Sequence, residues 1–113
     1  MSKKFKAVVY IAGPLGADDD GRVHRVREAI SAGERVAKLG FLPFVPHLFH
    51  FVDALHPAPY EVWMDRCFAW LGLCDAVLRI EGESPGADRE VAKAVEYGMT
   101  VYRSVDELVR QYR

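Results

Sequence analysis

Lys6-Ala7-Val8-Val9-Tyr10-Ile11-Ala12-Gly13-Pro14 decides how the rest of the chain is read. From Lys6 to Ala12 the run is apolar and partly β-branched, and Gly13-Pro14 ends it. A strand with no alternation has both faces covered, the condition of a strand inside a parallel sheet. Shorter runs of the same kind follow at Phe41–Val45, which Pro46 ends, at Ala76–Ile80 and at Met99–Tyr102. The stretches between them carry helical spacing. In Arg22–Leu39 the apolar positions are Val23, Val26, Ile30, Gly33 and Val36 (or Ala37), and Gly40 stops the helix. In Tyr60–Leu73 the stripe is Trp63, Cys67, Trp70 (or Leu71) and Cys74. In Gly86–Tyr97 it is Ala87, Val91, Ala94, Val95 and Gly98. Ser104 and Glu107 have the spacing of a capping box and open a last helix to Tyr112. Leu15–Gly21, with Asp18, Asp19 and Asp20 available as caps, reads as a loop, and so do His47–Pro59 and Glu81–Pro85.

The order is βαβαβαβα. Strands alternating with helices predict an α/β fold: a parallel sheet with right-handed crossovers and helices on both faces. The expected topology is flavodoxin-like, a four-stranded sheet in the order 2-1-3-4, with residues 1–113 forming one domain. In that order the switch point lies between strands 1 and 3, and ligands bind beyond the carboxyl ends of the strands there. The loops Gly13–Gly21 and Glu81–Gly86 are therefore expected to border the site.

Composition narrows the class. The 113 residues are 50% hydrophobic and 27% charged, with net charge -1 from 15 basic and 16 acidic side chains. That balance belongs to an ordinary globular domain and gives no basic field for a nucleic-acid polymer or an anionic membrane. No apolar run approaches the roughly 20 residues of a membrane span. Met1–Lys6 offers charge without the apolar stretch of a signal peptide. Two cysteines, Cys67 and Cys74, are too few for a disulfide framework and lack C-x-x-C spacing. The expected location is the cytoplasm.

In the first loop, Gly13-Pro14-Leu15-Gly16 is either a plain turn out of a buried strand or a backbone approach to a ligand. It is neither a G-x-G-x-x-G fingerprint nor a P-loop. In the second, Ser84 before Pro85 reads as a helix N-cap, and the same geometry makes an anion site. Glu90 lies at the edge of the apolar stripe within the first turns of its helix. It is either one more acidic residue near a helix start or a half-buried carboxylate that the helix dipole keeps ionised, a credible nucleophile. Tyr10 either packs in the core or brings its hydroxyl to the site. Asp65 lies off the stripe of its helix. His47, His50 and His56 share one segment. No carboxylate or cysteine completes metal-ligand spacing, so the expectation is no metal, no cofactor, and a histidine bonded to a base or phosphate.

Several segments, in order, resemble the nucleoside 2-deoxyribosyltransferase-like superfamily, which includes deoxyribonucleoside 5′-monophosphate N-glycosidases and small bacterial and phage domains of unassigned activity. They are Val9–Pro14, Leu39–Pro46, Cys74–Arg79 and Ser84–Ala94. The resemblance implies a flavodoxin-like domain. It implies catalytic roles for Glu90, attacking C1′ of the sugar, and for Tyr10, steadying Glu90; the acid expected to help the base depart is Asp65. The family's aspartate, eight residues before the position of Asp75, is Cys67 here, and Asp65 stands two residues away. Substrate binding falls to Gly13, Pro14, Leu15, Gly16, His47, Ser84, Gly86 and Asp88. Serine at position 84, where transferases acting on free nucleosides tend to carry aspartate, points to a 5′-phosphate.

The function expected is an N-glycosidase or deoxyribosyltransferase acting on a nucleoside 5′-monophosphate, with no nucleic-acid polymer or membrane as partner and a homodimer or higher homo-oligomer as the working form. An NAD glycohydrolase is a variant of the same chemistry. The alternative is a non-catalytic nucleotide-binding module of the same fold. A phosphoacceptor receiver domain is disfavoured, because Ile80-Glu81 and Tyr102-Arg103 do not supply its aspartate and lysine. The apolar residues Phe49, Phe51 and Trp63 are expected to lie exposed and to form the subunit contact.

Overall fold

The computed structural model describes residues 4–15 and 19–113. The elements are β1 (Val8–Ala12), α1 (Asp19–Lys38), β2 (Leu42–Phe44), a 3-10 turn (Pro46–Leu48), α2 (Phe49–Leu55), α3 (Tyr60–Leu71), β3 (Ala76–Arg79), α4 (Pro85–Glu96), β4 (Thr100–Tyr102) and α5 (Val105–Gln111). The four strands form one parallel sheet in the order β2-β1-β3-β4. This is the predicted α/β, flavodoxin-like order. Tyr10 pairs with Phe44 on one side and Val77 on the other, and Ala12 with Arg79.

Both faces of the sheet are covered, as the unbroken apolar run of β1 requires. Val9, Ile11, Ala76 and Leu78 pack with Ala29 and Val36 of α1 and Leu108 of α5. Tyr10, Ala12 and Val77 point the other way and pack with Cys67 and Leu71 of α3 and Ala94 of α4. The two-residue period of β1 thus assigns Tyr10 to the α3–α4 side. The ends of α4 and α5 follow the capping rules. Ser84 Oγ accepts from Ala87 N at 3.0 Å, with Pro85 at the first helical position, and Ser104 Oγ accepts from Glu107 N at 3.1 Å. Glu107 reaches back one residue beyond the usual box, accepting from Arg103 N at 3.0 Å.

Several expectations are corrected. His47–Pro59 is mostly helical: the 3-10 turn and α2 occupy Pro46–Leu55. α1 begins at Asp19, so Asp19, Asp20 and Gly21 belong to a helix and not to a loop; Gly16 and Asp18 lie outside the described residues. The buried stripe of α1 is Val26, Ala29, Gly33 and Val36, while Val23 and Ile30 are exposed. Small residues face the sheet because α1 lies close to it; a Cβ on Gly33 would stand 2.8 Å from Val45 Cγ2. In α3 the buried positions are Met64, Cys67 and Leu71, and Trp70 is exposed. In α4, Glu90 takes the buried place expected of Val95, which is exposed. Among the described residues no helix is long and apolar enough to cross a membrane.

Candidate active site

The carboxyl ends of β1, β2 and β3 meet at the switch point. Leaving β1, the backbone passes through Gly13, where a Cβ would stand 2.2 Å from Ile80 Cγ1. Only glycine lets this turn press against the end of β3. Across the gap Gly82 has φ +121° and would bring a Cβ to 2.7 Å from Pro14 Cγ. The left-handed backbone and the close approach both demand glycine there. The loops after β1 and β3 are thereby packed together. His47, in the turn after β2, locks them from a third side: its Nε2 lies 3.0 Å from Gly13 O and 3.1 Å from Pro14 O. Both partners only accept, so Nε2 carries the proton and Nδ1 is left as an acceptor. Burial lowers the His47 pKa, consistent with a neutral ring.

Above these loops opens a cavity of about 280 Å³, near the low end of small-ligand sites. Gly13 and Leu15 line it from the β1 loop, Pro46 and His47 from the turn after β2, and Phe49, His50 and Asp53 from α2. Tyr60, Trp63, Met64 and Cys67 of α3 form another wall, and Ser84, Gly86, Ala87 and Glu90 of α4 the last.

Glu90 is the buried acid of the site, 6% exposed. The Tyr10 hydroxyl donates to its Oε2. Burial pushes the Glu90 pKa up to about 7, and the Tyr10 hydroxyl and the Arg79 charge pull in the opposite direction. Sequence reasoning expected the helix dipole to hold this group ionised; desolvation outweighs it, and near neutral pH the carboxyl is about half ionised. Tyr10 is itself buried and its pKa is driven far up, first by burial and then by the Glu90 charge. It stays a phenol that can only donate to the carboxylate. The Cys67 thiol, beside this pair, is pushed up to about 11, mainly by burial, and stays neutral.

The amino terminus of α4 forms the rim. Ala87 N donates to Ser84 Oγ at 3.0 Å and Asp88 N to Ser84 O at 2.9 Å, and Pro85 has no N–H. That leaves the Gly86 N–H for a ligand. Because Ser84 Oγ is an acceptor within its cap, its O–H is a donor for an anion. The two readings of Ser84 are one geometry.

The structure brings Gly13, Leu15, His47, Ser84, Gly86 and Glu90 together around one cavity, with Tyr10 beneath Glu90. Pro14 is buried and contributes its carbonyl to His47. Asp65 is exposed and outside the lining. The Asp88 side chain is 73% exposed and pairs with Arg79 at 3.4 Å beside a second recess. Neither acid reaches the cavity. Phe49 and Trp63, expected on the surface, are half-buried wall residues; Phe49 packs edge-on against Phe44, with ring centroids 6.2 Å apart, and is tilted on Trp63 at 5.6 Å.

Two further residues were missed. Asp53 Oδ1 accepts from Trp63 Nε1 at 2.8 Å and from Ala58 N at 3.1 Å, tying α2 to the start of α3. Those two donors lower its pKa. Arg79 is 6% exposed at the end of β3, with Nη2 donating to Gly82 O at 2.8 Å and Nη1 to Ile80 O. A charged residue inside the apolar run Ala76–Ile80 was the available signal. Among the described residues no three histidine, cysteine or acidic side chains gather to hold a metal. No protein-family model matches the chain, and no curated protein matches it.

Proposed function

We propose that the protein breaks the base–sugar bond of a nucleoside 5′-monophosphate, as an N-glycosidase or deoxyribosyltransferase of the nucleoside 2-deoxyribosyltransferase type. One observation carries this reading: a buried carboxylate, hydrogen-bonded to a tyrosine, lies one turn into the helix whose amino terminus rims the same cavity. Glu90 follows Gly86 by four residues, about 6 Å along the axis. That span is comparable with the reach from the 5′-phosphate to C1′ of a nucleotide. With phosphate on the Ser84 hydroxyl and the Gly86 N–H, C1′ comes to Glu90. The ionised Glu90 attacks C1′ and the base leaves; water or a second base then attacks the sugar ester and frees Glu90, with retention. Tyr10 orients the carboxylate and favours its ionised form.

The working form in this proposal is a cytoplasmic homodimer. The free thiols Cys67 and Cys74 suit a reducing compartment, and the strongly exposed Phe51, Leu55 and Leu73 suit a subunit contact. A second reading, a nucleotide-binding module without catalysis, is favoured by one observation: a neutral thiol at Cys67 replaces the acid expected there.

Incubation with a panel of nucleotides, monitored for free base, separates the two. Base release by the wild type, lost in Glu90→Ala while nucleotide still raises the Tm of the variant, is the expected result. Binding without release supports the module. Neither binding nor release overturns both readings.

A further inference from the structure

Departure of a base from C1′ leaves an electron pair on a ring nitrogen, and a proton delivered there lowers the barrier. The cavity-lining titratable groups differ in whether they can supply it. Glu90 is the nucleophile. Asp53 is held ionised by the Ala58 and Trp63 N–H groups and has no proton to give. The His47 Nε2–H is turned to the Gly13 and Pro14 carbonyls. The Cys67 thiol, pushed up to about 11, is a poor acid. The Tyr60 hydroxyl lies by Gly86, 3.0 Å from where a Cβ would be, at the phosphate end. The Arg22 guanidinium does not give up its proton. His50 of α2 is left. It lines the cavity, is half-buried, stands three residues before Asp53 on the same helix, and is attracted by the Asp53 charge.

We propose that His50 is the general acid for the leaving base, a role that rests on the glycosidase reading. As Glu90 Oε forms its bond to C1′, the C1′–N bond breaks and its electron pair goes to the base. The His50 imidazolium gives that base its proton. Water then attacks C1′ and passes a proton to the His50 imidazole, while the ester bond breaks and its pair returns to Glu90. Atoms balance as nucleotide plus water to sugar phosphate plus base. Phe51, with its ring centroid 5.4 Å from that of His50, flanks the imidazole.

A leaving group that needs no proton does not need His50, and this sets the test. Two substrate pairs are used: 2′-deoxyguanosine 5′-monophosphate with its N7-methylated form, and 2′-deoxyuridine 5′-monophosphate with its 5-fluoro form. His50→Gln and His50→Asn are each compared with the wild type. The expected result is a fall in kcat of roughly 10²–10⁴-fold on the unactivated nucleotide with KM little changed. On the activated partner the fall is much smaller, under about threefold for the N7-methylated form. Activity on the activated partner also certifies that the variant is folded. An equal loss on both members of a pair, or no loss on either, overturns the role of His50 and leaves the glycosidase reading standing. A wild type that releases base from neither pair overturns that reading and the role of His50 with it.

Discussion

A carboxylate that attacks carbon must be ionised, and Glu90 sits where ionisation is opposed: 6% exposed, with its pKa pushed up to about 7. The Tyr10 hydroxyl and Arg79 resist that rise. A hydrogen bond to a charged group contributes about 1.5–3 kcal/mol, or one to two pKa units. In Tyr10→Phe the Glu90 carboxylate loses that donor and its pKa climbs further. The acid limb of the wild-type profile for base release is expected to rise with pH through a midpoint near 7, since only the ionised Glu90 attacks, while the alkaline side belongs to the acid that protonates the leaving base. In Tyr10→Phe the midpoint of that limb moves up by about a unit or more, so the rate falls roughly tenfold at pH 7 and the loss relative to wild type narrows towards higher pH. A pH–rate profile checks this; a uniform loss at every pH would mean that Tyr10 only fills space. Tyr10 and Glu90 each stood between two readings in the sequence, and the resemblance rather than periodicity gave them roles; the hydrogen bond that joins them across 80 residues is what the structure adds. Arg79 and Asp53 were not legible as site residues. Their importance comes from carbonyls and N–H groups that the turns following them fold back, Gly82 O onto Arg79 and the Trp63 indole onto Asp53, and those turn geometries are not written in hydrophobic periodicity.

The elements show what periodicity can and cannot tell. The strands of the sheet were legible because apolar runs bounded by Gly13-Pro14 and Pro46 have little other use. α2 was not, because its apolar residues Phe49, Phe51, Val52, Ala54 and Leu55 spread over more than half the circumference of a seven-residue helix, and without a single narrow stripe there is no 3.6-residue signal. The phases of α1 and α4 were misjudged for one reason: a small or a charged residue, Ala29 in one and Glu90 in the other, takes an inward place while Ile30 and Val95 face out. α4 carries the element-scale prediction. Ser84→Ala removes the cap on Ala87 N and is expected to cost about 1 kcal/mol, while weakening nucleotide binding. Ser84→Asp restores a capping oxygen but sets a negative charge where a phosphate would rest. Stability should therefore stay near wild type in Ser84→Asp, while affinity for a 5′-monophosphate falls at least tenfold and affinity for the free nucleoside changes little. Thermal unfolding and titration calorimetry measure the two separately. Equal loss for nucleotide and nucleoside removes the phosphate from this rim.

At the scale of the whole molecule the site shares one face of the sheet with one of the two core clusters. Tyr10 and Cys67 pack in the cluster formed by β1, β3, α3 and α4, and Glu90 touches both the cluster and the cavity. Folding must therefore bury an acid. Its pKa is 4.5 in a free chain and about 7 here. Well below pH 4.5 both states hold the proton and the burial carries no charge penalty. Between 4.5 and 7 the unfolded chain gives up its proton first, so this group lowers stability as the pH rises. Above 7 both states are ionised and the deficit stays constant, at about 3 kcal/mol. Glu90→Gln keeps the shape and an oxygen for the Tyr10 hydroxyl but has no proton to lose. The variant should match the wild type near pH 4.5 and unfold on the order of 10 °C higher at pH 8, although it releases no base. Contributions from the other titrating groups are common to both proteins and cancel in the difference. Melting curves of the pair across pH 4.5–8 decide the matter. A gap that stays constant with pH, or a Gln variant less stable than the wild type at pH 8, would show that folding does not bury the Glu90 charge.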